Sequence, residues 1–221
     1  MIKPSELWSA LLPSGVVAME TWAFTHSEAL YPEERLAVSA AVPKRVEEFA
    51  AGRACARAAI AAIGLVPGPL LRGANRAPIW PDTLVGSITH TDRYCAAVVA
   101  PRSRFAGIGI DAEELGRLSD AAARRVCTVG ELGRLEQHMA SRTDLLTLIF
   151  SAKEAFFKSQ PAAGKRVTEF HDIELSISQG HFDVGACNRD GHSVPLGVKG
   201  RYAIRDGMVF AAIALEAGWC G

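Results

Sequence analysis

The sequence has no excess of charge in either direction: Lys and Arg together number 24, and so do Asp and Glu. A general nucleic-acid binder needs a basic surplus to meet the phosphate backbone, so no nucleic-acid partner is expected. Long apolar runs are also lacking. The longest uncharged apolar stretch, Ala58 to Leu71, is too short to cross a bilayer and contains Pro67 and Pro69. No membrane association is expected. The N-terminus lacks the basic segment of a secretory leader: its one Lys is offset by Glu6, and Pro13 interrupts the apolar residues. Cysteine is sparse and odd in number, five in all (Cys55, Cys95, Cys127, Cys187, Cys220), with no CxxC pair. That excludes a disulfide-stapled scaffold and fits a reduced cytoplasmic protein. Low-complexity linkers and short repeats are absent. The 221 residues, 49% apolar and 22% charged, suffice for one large domain or two small ones and exclude a disordered chain.

Turn and cap residues organise the chain. Pro43 suits a first helical turn, and Lys44 to Ile63 runs on to Gly64 at the C′ position, with Pro67 beyond. Small residues at Ala54, Ala58, Ala61 and Ala62 predict close packing against a neighbour. Val85–His90 and Tyr94–Ala100 read as strands around the turn Thr91-Asp92-Arg93, and Phe105–Glu113 as a third. A polar helix is expected from Ser119 to His138. A second strong helix is expected from Thr143, a good N-cap, to Ser159 before Pro161. The tail alternates over Ile173–Ile177 and Tyr202–Leu215, with Asp206-Gly207 as a type I′ hairpin signal. Strands do not alternate regularly with helices. This predicts an α+β fold with antiparallel sheets rather than a doubly wound parallel sheet. A boundary near residue 106 divides the chain into halves, 1–106 and 107–221.

Three groups of residues can carry chemistry. In Gly107-Ile-Gly-Ile-Asp-Ala-Glu113, alternation puts Ile108, Ile110 and Ala112 toward a core and Gly109, Asp111 and Glu113 on the other face. Two carboxylates one step apart repel, and a hard cation relieves that repulsion. A solvated strand end helped by Glu114 is the other reading. The stretch also matches G-x-G-x-x-A, the dinucleotide-binding fingerprint. There the pyrophosphate would meet Asp111 unscreened, and no βαβ order surrounds it. In Phe150-Ser-Ala-Lys-Glu-Ala-Phe-Phe-Lys158, an apolar stripe through Leu145, Leu148, Ile149, Ala152, Ala155 and Phe156 seats the helix. Glu154 and Lys158, four residues apart, share a different face, either as an exposed ion pair or, flanked by Phe150 and Phe157, as the lining of a cleft. The third group is basic: residues 44 to 76 hold six Lys or Arg (Lys44, Arg45, Arg53, Arg57, Arg72, Arg76) against Glu47 and Glu48. Arg53 and Arg57 share a helical face near Arg45. Clustered guanidinium forks suit phosphate oxygens, and a solvated helix face is the plainer account. Gly86-Ser-Ile-Thr-His90 ends a strand with two hydroxyls and an imidazole.

"EFAAGRACARAAI", "WPDTLVGSITHT", "GIGIDAE" and "FSAKEAFFK" occur in this order and at suitable separations. With them the chain resembles the 4′-phosphopantetheinyl transferases, specifically the larger pseudo-dimeric branch of the surfactin and enterobactin synthetase type, which serves siderophore, polyketide and lipid synthases. The resemblance runs from Pro32 to Leu215, while residues 1–30 carry little of it. It implies two similar α+β lobes with the active site between them: 1–106 for the 3′-phosphate and adenylate of coenzyme A, 107–221 for Mg²⁺ and catalysis. It implies a cytoplasmic monomer that moves the phosphopantetheine arm of coenzyme A to a serine of an apo acyl or peptidyl carrier protein and releases 3′,5′-ADP. By motif, Asp111, Glu113 and Glu154 would hold the metal, and Glu154, Lys158 and Asp111 would be catalytic. Lys158 and Lys153 would meet the cofactor. Arg45, Arg53, Arg57, Arg76 and His90 would hold its phosphate and adenylate end, with Ser87 and Thr89 adding polar contacts. The serine proton would go to Glu154 or to a metal-bound water. A basic residue is expected near Asn75, and Arg76 answers to it.

Two other functions make different demands. A dinucleotide-binding oxidoreductase needs a βαβ unit around GIGIDA. A non-catalytic carrier-binding module predicts loss of an acidic ligand, yet Asp111, Glu113 and Glu154 are all present. After Glu113, Arg117, Arg124 and Arg125 offer a basic face for an acidic carrier, or Arg124 or Arg125 pairs with Glu131.

Overall fold

Pro43 and Gly64 bracket the first long helix as expected. In the computed structural model, which describes residues 1–24, 29–73, 77–135, 142–160, 169–187 and 193–219, it spans Pro43–Ala62. Gly64 caps its end at φ +81°, a left-handed conformation that glycine adopts without steric cost. In chain order the elements are β1 (Lys3–Pro4), α1 (Glu6–Leu11), β2 (Val17–Thr21), α2 (Pro32–Leu36), α3 (Pro43–Ala62), β3 (Leu84–His90), β4 (Cys95–Pro101) and β5 (Phe105–Glu114). They continue with α4 (Asp120–Val126), α5 (Val129–Leu135), α6 (Arg142–Ser159), β6 (Ile173–Ser178), β7 (His181–Cys187), β8 (Ser193–Arg205) and β9 (Met208–Glu216).

The strands form two antiparallel sheets, ordered β1-β2-β4-β3 and β5-β9-β8-β7-β6. Each is crossed on one face by a long helix. Ala51, Cys55 and Ala59 of α3 lie on Cys95, Ala97 and Val99 of β4. Ala152, Ala155 and Phe156 of α6 lie on Ala211 and Ile213 of β9. The opposite faces meet in a shared core, where Ala96, Val98 and Ala100 pack with Ile108, Ile110, Phe210 and Ala212. Strand β4 is therefore buried on both sides, which is why Cys-Ala-Ala-Val-Val-Ala is continuously apolar instead of alternating. The chain is α+β with two lobes of similar build. Asp206 and Gly207 both have positive φ, 53° and 74°, and close the β8–β9 hairpin as the type I′ turn requires.

One expectation is corrected. The polar helix over Ser119–His138 is broken into α4 and α5. Cys127 turns extended, and Thr128-Val-Gly-Glu131 starts a new helix as a reciprocal cap: Glu131 N donates to Thr128 Oγ1 at 3.2 Å, and Thr128 N to Glu131 Oε2 at 2.8 Å. Its last residues, 136–138, lie outside the described residues. The G-x-G-x-x-A stretch lies in β5, which pairs antiparallel with β9 and belongs to no βαβ unit, so the dinucleotide reading loses its structural basis.

The first 24 residues contribute more than their weak motif content suggests. Trp8, fully buried, packs edge-on to Phe210 and donates to Tyr94 Oη at 2.7 Å. Tyr94 in turn donates to Glu20 at 2.9 Å, tying α1 and β2 into the shared core.

Candidate active site

The lobes join along two sheet edges, β3 and β5. These strands are linked by side chains: Ile110 N donates to Ser87 Oγ at 3.1 Å, and Ala112 N to Thr89 Oγ1 at 3.0 Å. A cleft of about 1000 Å³ opens along this seam, within the size range of ligand sites. Helix α3 lends it Arg45, Glu48, Phe49 and Arg53; β3 lends Ser87, Thr89 and His90. From the other lobe come Asp111 and Glu113 of β5 and Phe150, Glu154, Phe157 and Lys158 of α6. The segment between α3 and β3 closes one end with Arg72 and Trp80. Trp80 can lie on β3 because Gly86 has no Cβ to meet its ring.

Glycine also sets the acidic side. A Cβ at Gly107 would overlap the Ser159 carbonyl, and one at Gly109 the Ala155 carbonyl. Their absence lets the α6 backbone touch β5, which brings Glu154 and Lys158 to the same wall as Asp111. Asp111 is 3% exposed. Its Oδ1 accepts from Lys158 Nζ at 2.6 Å and from Thr89 Oγ1 at 3.3 Å, while its Oδ2 is buried without a hydrogen-bond partner. Burial pulls the Lys158 ammonium toward a lower pKa, but the charge and hydrogen bond of Asp111, with Glu154 and Glu113 behind, outweigh it and raise the value. Burial, then the neighbouring Asp111 charge, pushes Glu113 up to about 7.

An unpartnered buried carboxylate oxygen beside a second carboxylate that resists ionisation fits a hard cation. As the side chains stand, no three acidic, imidazole or thiol groups among the described residues converge on one point, and Lys158 Nζ lies 2.6 Å from Asp111 Oδ1. The raised pKa of Glu113 also sets how stability depends on pH. The folded protein holds this proton more tightly than the unfolded chain between about pH 4.5 and 7, so stability falls as pH rises through that window. Glu113→Gln is therefore expected to stabilise the metal-free protein at pH 8 by about 1–2 kcal/mol, after discounting for solvent screening, or several degrees in melting temperature. The gain should vanish near pH 4 in thermal unfolding. A gain of equal size at both pH values would contradict this account.

On the basic side, Arg53 is 4% exposed, stacks on Phe49 with its guanidinium carbon 4.2 Å from the ring centroid, and donates Nε to the Leu70 carbonyl at 2.7 Å. Burial lowers its pKa to about 10, which leaves it a cation at neutral pH. Arg45 Nη1 lies 2.7 Å from His90 Nε2 and 3.0 Å from Glu48. The guanidinium can only donate, so that hydrogen bond puts the His90 proton on Nδ1, which faces Glu48 at 3.9 Å. Burial, then Arg45, pushes the His90 pKa down, so the ring is neutral at neutral pH.

The structure thus brings Arg45, Arg53, Ser87, Thr89, His90, Asp111, Glu113, Glu154 and Lys158 to one cleft. Ser87 and Thr89 also serve as acceptors that join the lobes. Two expected cofactor contacts are corrected. Lys153, fully buried, points into the interior of its lobe, where Nζ donates to Glu131 at 2.7 Å and to the carbonyls of Val126, Phe170 and Ile173 at 2.8–2.9 Å. Arg57 turns from the cleft to Glu34, both oxygens of which lie 2.9 Å from its Nη1. Arg76 lies outside the described residues. Glu131, the alternative partner for Arg124 or Arg125, is held by Lys153 instead, and both arginines are exposed. Glu48 and Trp80 went unmarked in the sequence. Glu48 stands three residues after Arg45 on the helix, the spacing of an ion pair, and Trp80 opens the WPDTLVGSITHT stretch, although no local pattern turns its ring toward the cleft.

Comparison with known proteins bears on the whole of this arrangement. The family model of the 4′-phosphopantetheinyl transferase N-terminal domain matches residues 33–100, and that of the 4′-phosphopantetheinyl transferase superfamily matches residues 107–202. The chain is 40% identical to 4′-phosphopantetheinyl transferase Svp of Streptomyces mobaraensis, over 95% of this chain and 89% of that protein. It is 35% identical to 4′-phosphopantetheinyl transferase Npt of Nocardia iowensis, over 92% of this chain and 97% of that one. To 4′-phosphopantetheinyl transferase PptT of Mycobacterium tuberculosis it is 33% identical, over 83% and 85% respectively. Agreement of this extent, spanning both lobes and the cleft between them, places the chain in the 4′-phosphopantetheinyl transferase superfamily, in its larger two-lobed branch.

Proposed function

We propose that this transferase binds coenzyme A across the seam. Lobe 1–106 would take the 3′-phosphate and adenylate, and lobe 107–221 the pyrophosphate and the chemistry. The observation that carries the reading is the charge separation across one cleft: Arg45, Arg53 and Arg72 on one side, and Asp111, Glu113 and Glu154 on the other. Guanidinium forks suit a phosphomonoester, and the acidic wall suits a metal that screens a pyrophosphate. Asp111, Glu113 and Glu154 would hold magnesium, which when bound would supply charge neutralisation for the pyrophosphate and polarisation of the phosphorus bearing the pantetheine arm.

The remaining steps belong to the side chains. Arg53 and Arg45, with neutral His90, orient the nucleotide end and leave the pantetheine arm toward β5 and α6. The hydroxyl of the carrier serine attacks the phosphorus of the arm, and the P–O bond to the adenylate side breaks. The products are the phosphopantetheinyl serine and 3′,5′-ADP. Glu154 accepts the serine proton, and the Lys158 ammonium donates to the departing phosphate, where negative charge grows. Exposed Arg124 and Arg125 on α4 give an acidic carrier a basic surface to approach. No helix among the described residues is long and apolar enough to cross a membrane. Cys55, Cys95, Cys127 and Cys187 are free thiols, which supports a reducing cytoplasm.

The intact mass of an apo carrier after incubation with coenzyme A, magnesium and enzyme tests the reaction. The phosphate assignment has a sharper test. Wild type should prefer coenzyme A over 3′-dephospho-coenzyme A, and Arg53→Ala should remove most of that preference. A charge-assisted contact worth about 1.5–3 kcal/mol corresponds to roughly 10- to 150-fold in kcat/KM. Undiminished preference in Arg53→Ala would make Arg53 a structural residue only.

A further inference from the structure

Behind the basic wall, away from the cleft, lies a carboxylate that the mechanism does not use. Glu34 of α2 is fully buried. Its Oε1 accepts from Leu70 N at 2.8 Å and from Arg57 Nη1 at 2.9 Å. Its Oε2 accepts from Tyr31 N at 3.0 Å and again from Arg57 Nη1 at 2.9 Å. Arg57 is held in turn by the Ala29 carbonyl at 2.6 Å, and its guanidinium lies over the Tyr31 ring. The peptide segment at Leu70 is thus gripped from two sides: its N–H by Glu34, and its carbonyl by Arg53 Nε at 2.7 Å. Two residues further on, Arg72 and Gly73 enter the cleft lining.

We infer that Glu34 is a positioning residue for recognition of the 3′-phosphate. It fixes the Leu70 segment that sets the plane of the Arg53 guanidinium, and its charge offsets the repulsion between Arg53 and Arg57. This rests on the reading of Arg53 as a phosphate ligand. The physical reason is geometric. Arg53 has one donor committed to Leu70, so any shift of Leu70 turns the whole rigid fork. Glu34 contacts both the Leu70 N–H and the neighbouring Arg57 cation. An amide in its place has one oxygen for N–H groups arriving on two sides, so its NH₂ must face a donor. The buried carboxylate also offsets part of the burial that pulls the Arg53 pKa down.

The test compares wild type, Arg53→Ala, Glu34→Gln and Glu34→Asp, as full-length enzymes below their melting temperatures, on coenzyme A and 3′-dephospho-coenzyme A with one apo carrier. Glu34→Gln is expected to raise KM for coenzyme A about tenfold. Its kcat, and its KM for the dephospho compound, should stay within about twofold of wild type. Glu34→Asp keeps the charge for Arg57 but is one methylene short of Leu70, and it should raise KM for coenzyme A about threefold. This milder variant carries the test alone if Glu34→Gln does not fold. Loss of the coenzyme A preference in Arg53→Ala, with its partial loss in the Glu34 variants, supports the proposal. If Arg53→Ala loses the preference while the Glu34 variants melt earlier but keep it, Glu34 is a fold residue and the proposal alone is overturned. If Arg53→Ala keeps the preference, the phosphate reading of Arg53 falls and the role of Glu34 falls with it.

Discussion

Asp111→Asn is expected to reduce transfer by about 10³-fold or more while the melting temperature stays within a few degrees of wild type. The substitution keeps the volume of the side chain, and an amide oxygen can still accept from Thr89 and Lys158. What it removes is the charge. Asp111 Oδ2 is the one buried carboxylate oxygen among the described residues that has no protein partner, so no protein hydrogen bond is lost there. The charge also holds the Lys158 ammonium up against the burial that pulls it down. Without it the proposed metal site would lose a ligand, and Lys158 loses its nearest counter-charge. Glu154→Gln should do comparable damage, because on the proposed mechanism it removes both a ligand and the proton acceptor. Turnover is read from carrier mass at saturating magnesium and coenzyme A, with thermal unfolding run alongside. Near-wild-type turnover in either variant would remove these carboxylates from the mechanism. A large drop in melting temperature would assign Asp111 to the fold instead.

Lys153→Met should have the largest effect on stability and little effect on coenzyme A. Its ammonium and the Glu131 carboxylate are 0% and 1% exposed and 2.7 Å apart. Three backbone carbonyls complete its shell, from the end of α4, from Phe170 and from β6. Glu131 meanwhile accepts from Thr128 N and Leu175 N, both at 2.8 Å. Methionine fills much of the space but strands a buried anion and three acceptors. Breaking a buried pair from one side costs about 3–5 kcal/mol, which for a chain of this size is roughly 10 °C in melting temperature. Adding Glu131→Leu should cost less than the sum of the two single changes, since the stranded charge is then gone. Below its melting temperature, Lys153→Met should keep KM for coenzyme A within about twofold. An unchanged melting temperature with a raised KM would return Lys153 to the cofactor.

Lys153 and Glu154 show where sequence stops being sufficient. They are adjacent in one motif, and their side chains diverge by about 100° around the helix axis. One enters the core of its lobe and the other the cleft. The choice depends on where α4, α5 and β6 lie, and the Thr128–Glu131 cap that splits the expected polar helix is what carries the Glu131 carboxylate inward to meet the ammonium. Arg53 and Arg57 diverge for a related reason. They are one turn apart on α3, but Glu34, buried and far back in the chain, claims only the second.

Local rules settle the features that depend on neighbours in the chain. Pro43 and Gly64 delimit α3 through a fixed φ and a left-handed cap. Asp206-Gly207 closes its hairpin because both residues tolerate positive φ. The alternation in Gly107–Glu113 places two carboxylates on the face opposite Ile108 and Ile110, since side chains along a strand repeat every second residue. Those local rules yield the α+β class and most of the acidic wall. Tertiary structure alone decided that Gly107 and Gly109 leave room for the backbone of α6 rather than for a ligand. It also decided that Ser87 and Thr89 hold the lobes together, and which lysines and arginines face the cleft. Such outcomes follow from desolvation and pairing. A buried charge goes where an opposite charge and enough hydrogen-bond partners await it, and those partners come from segments that only folding brings near.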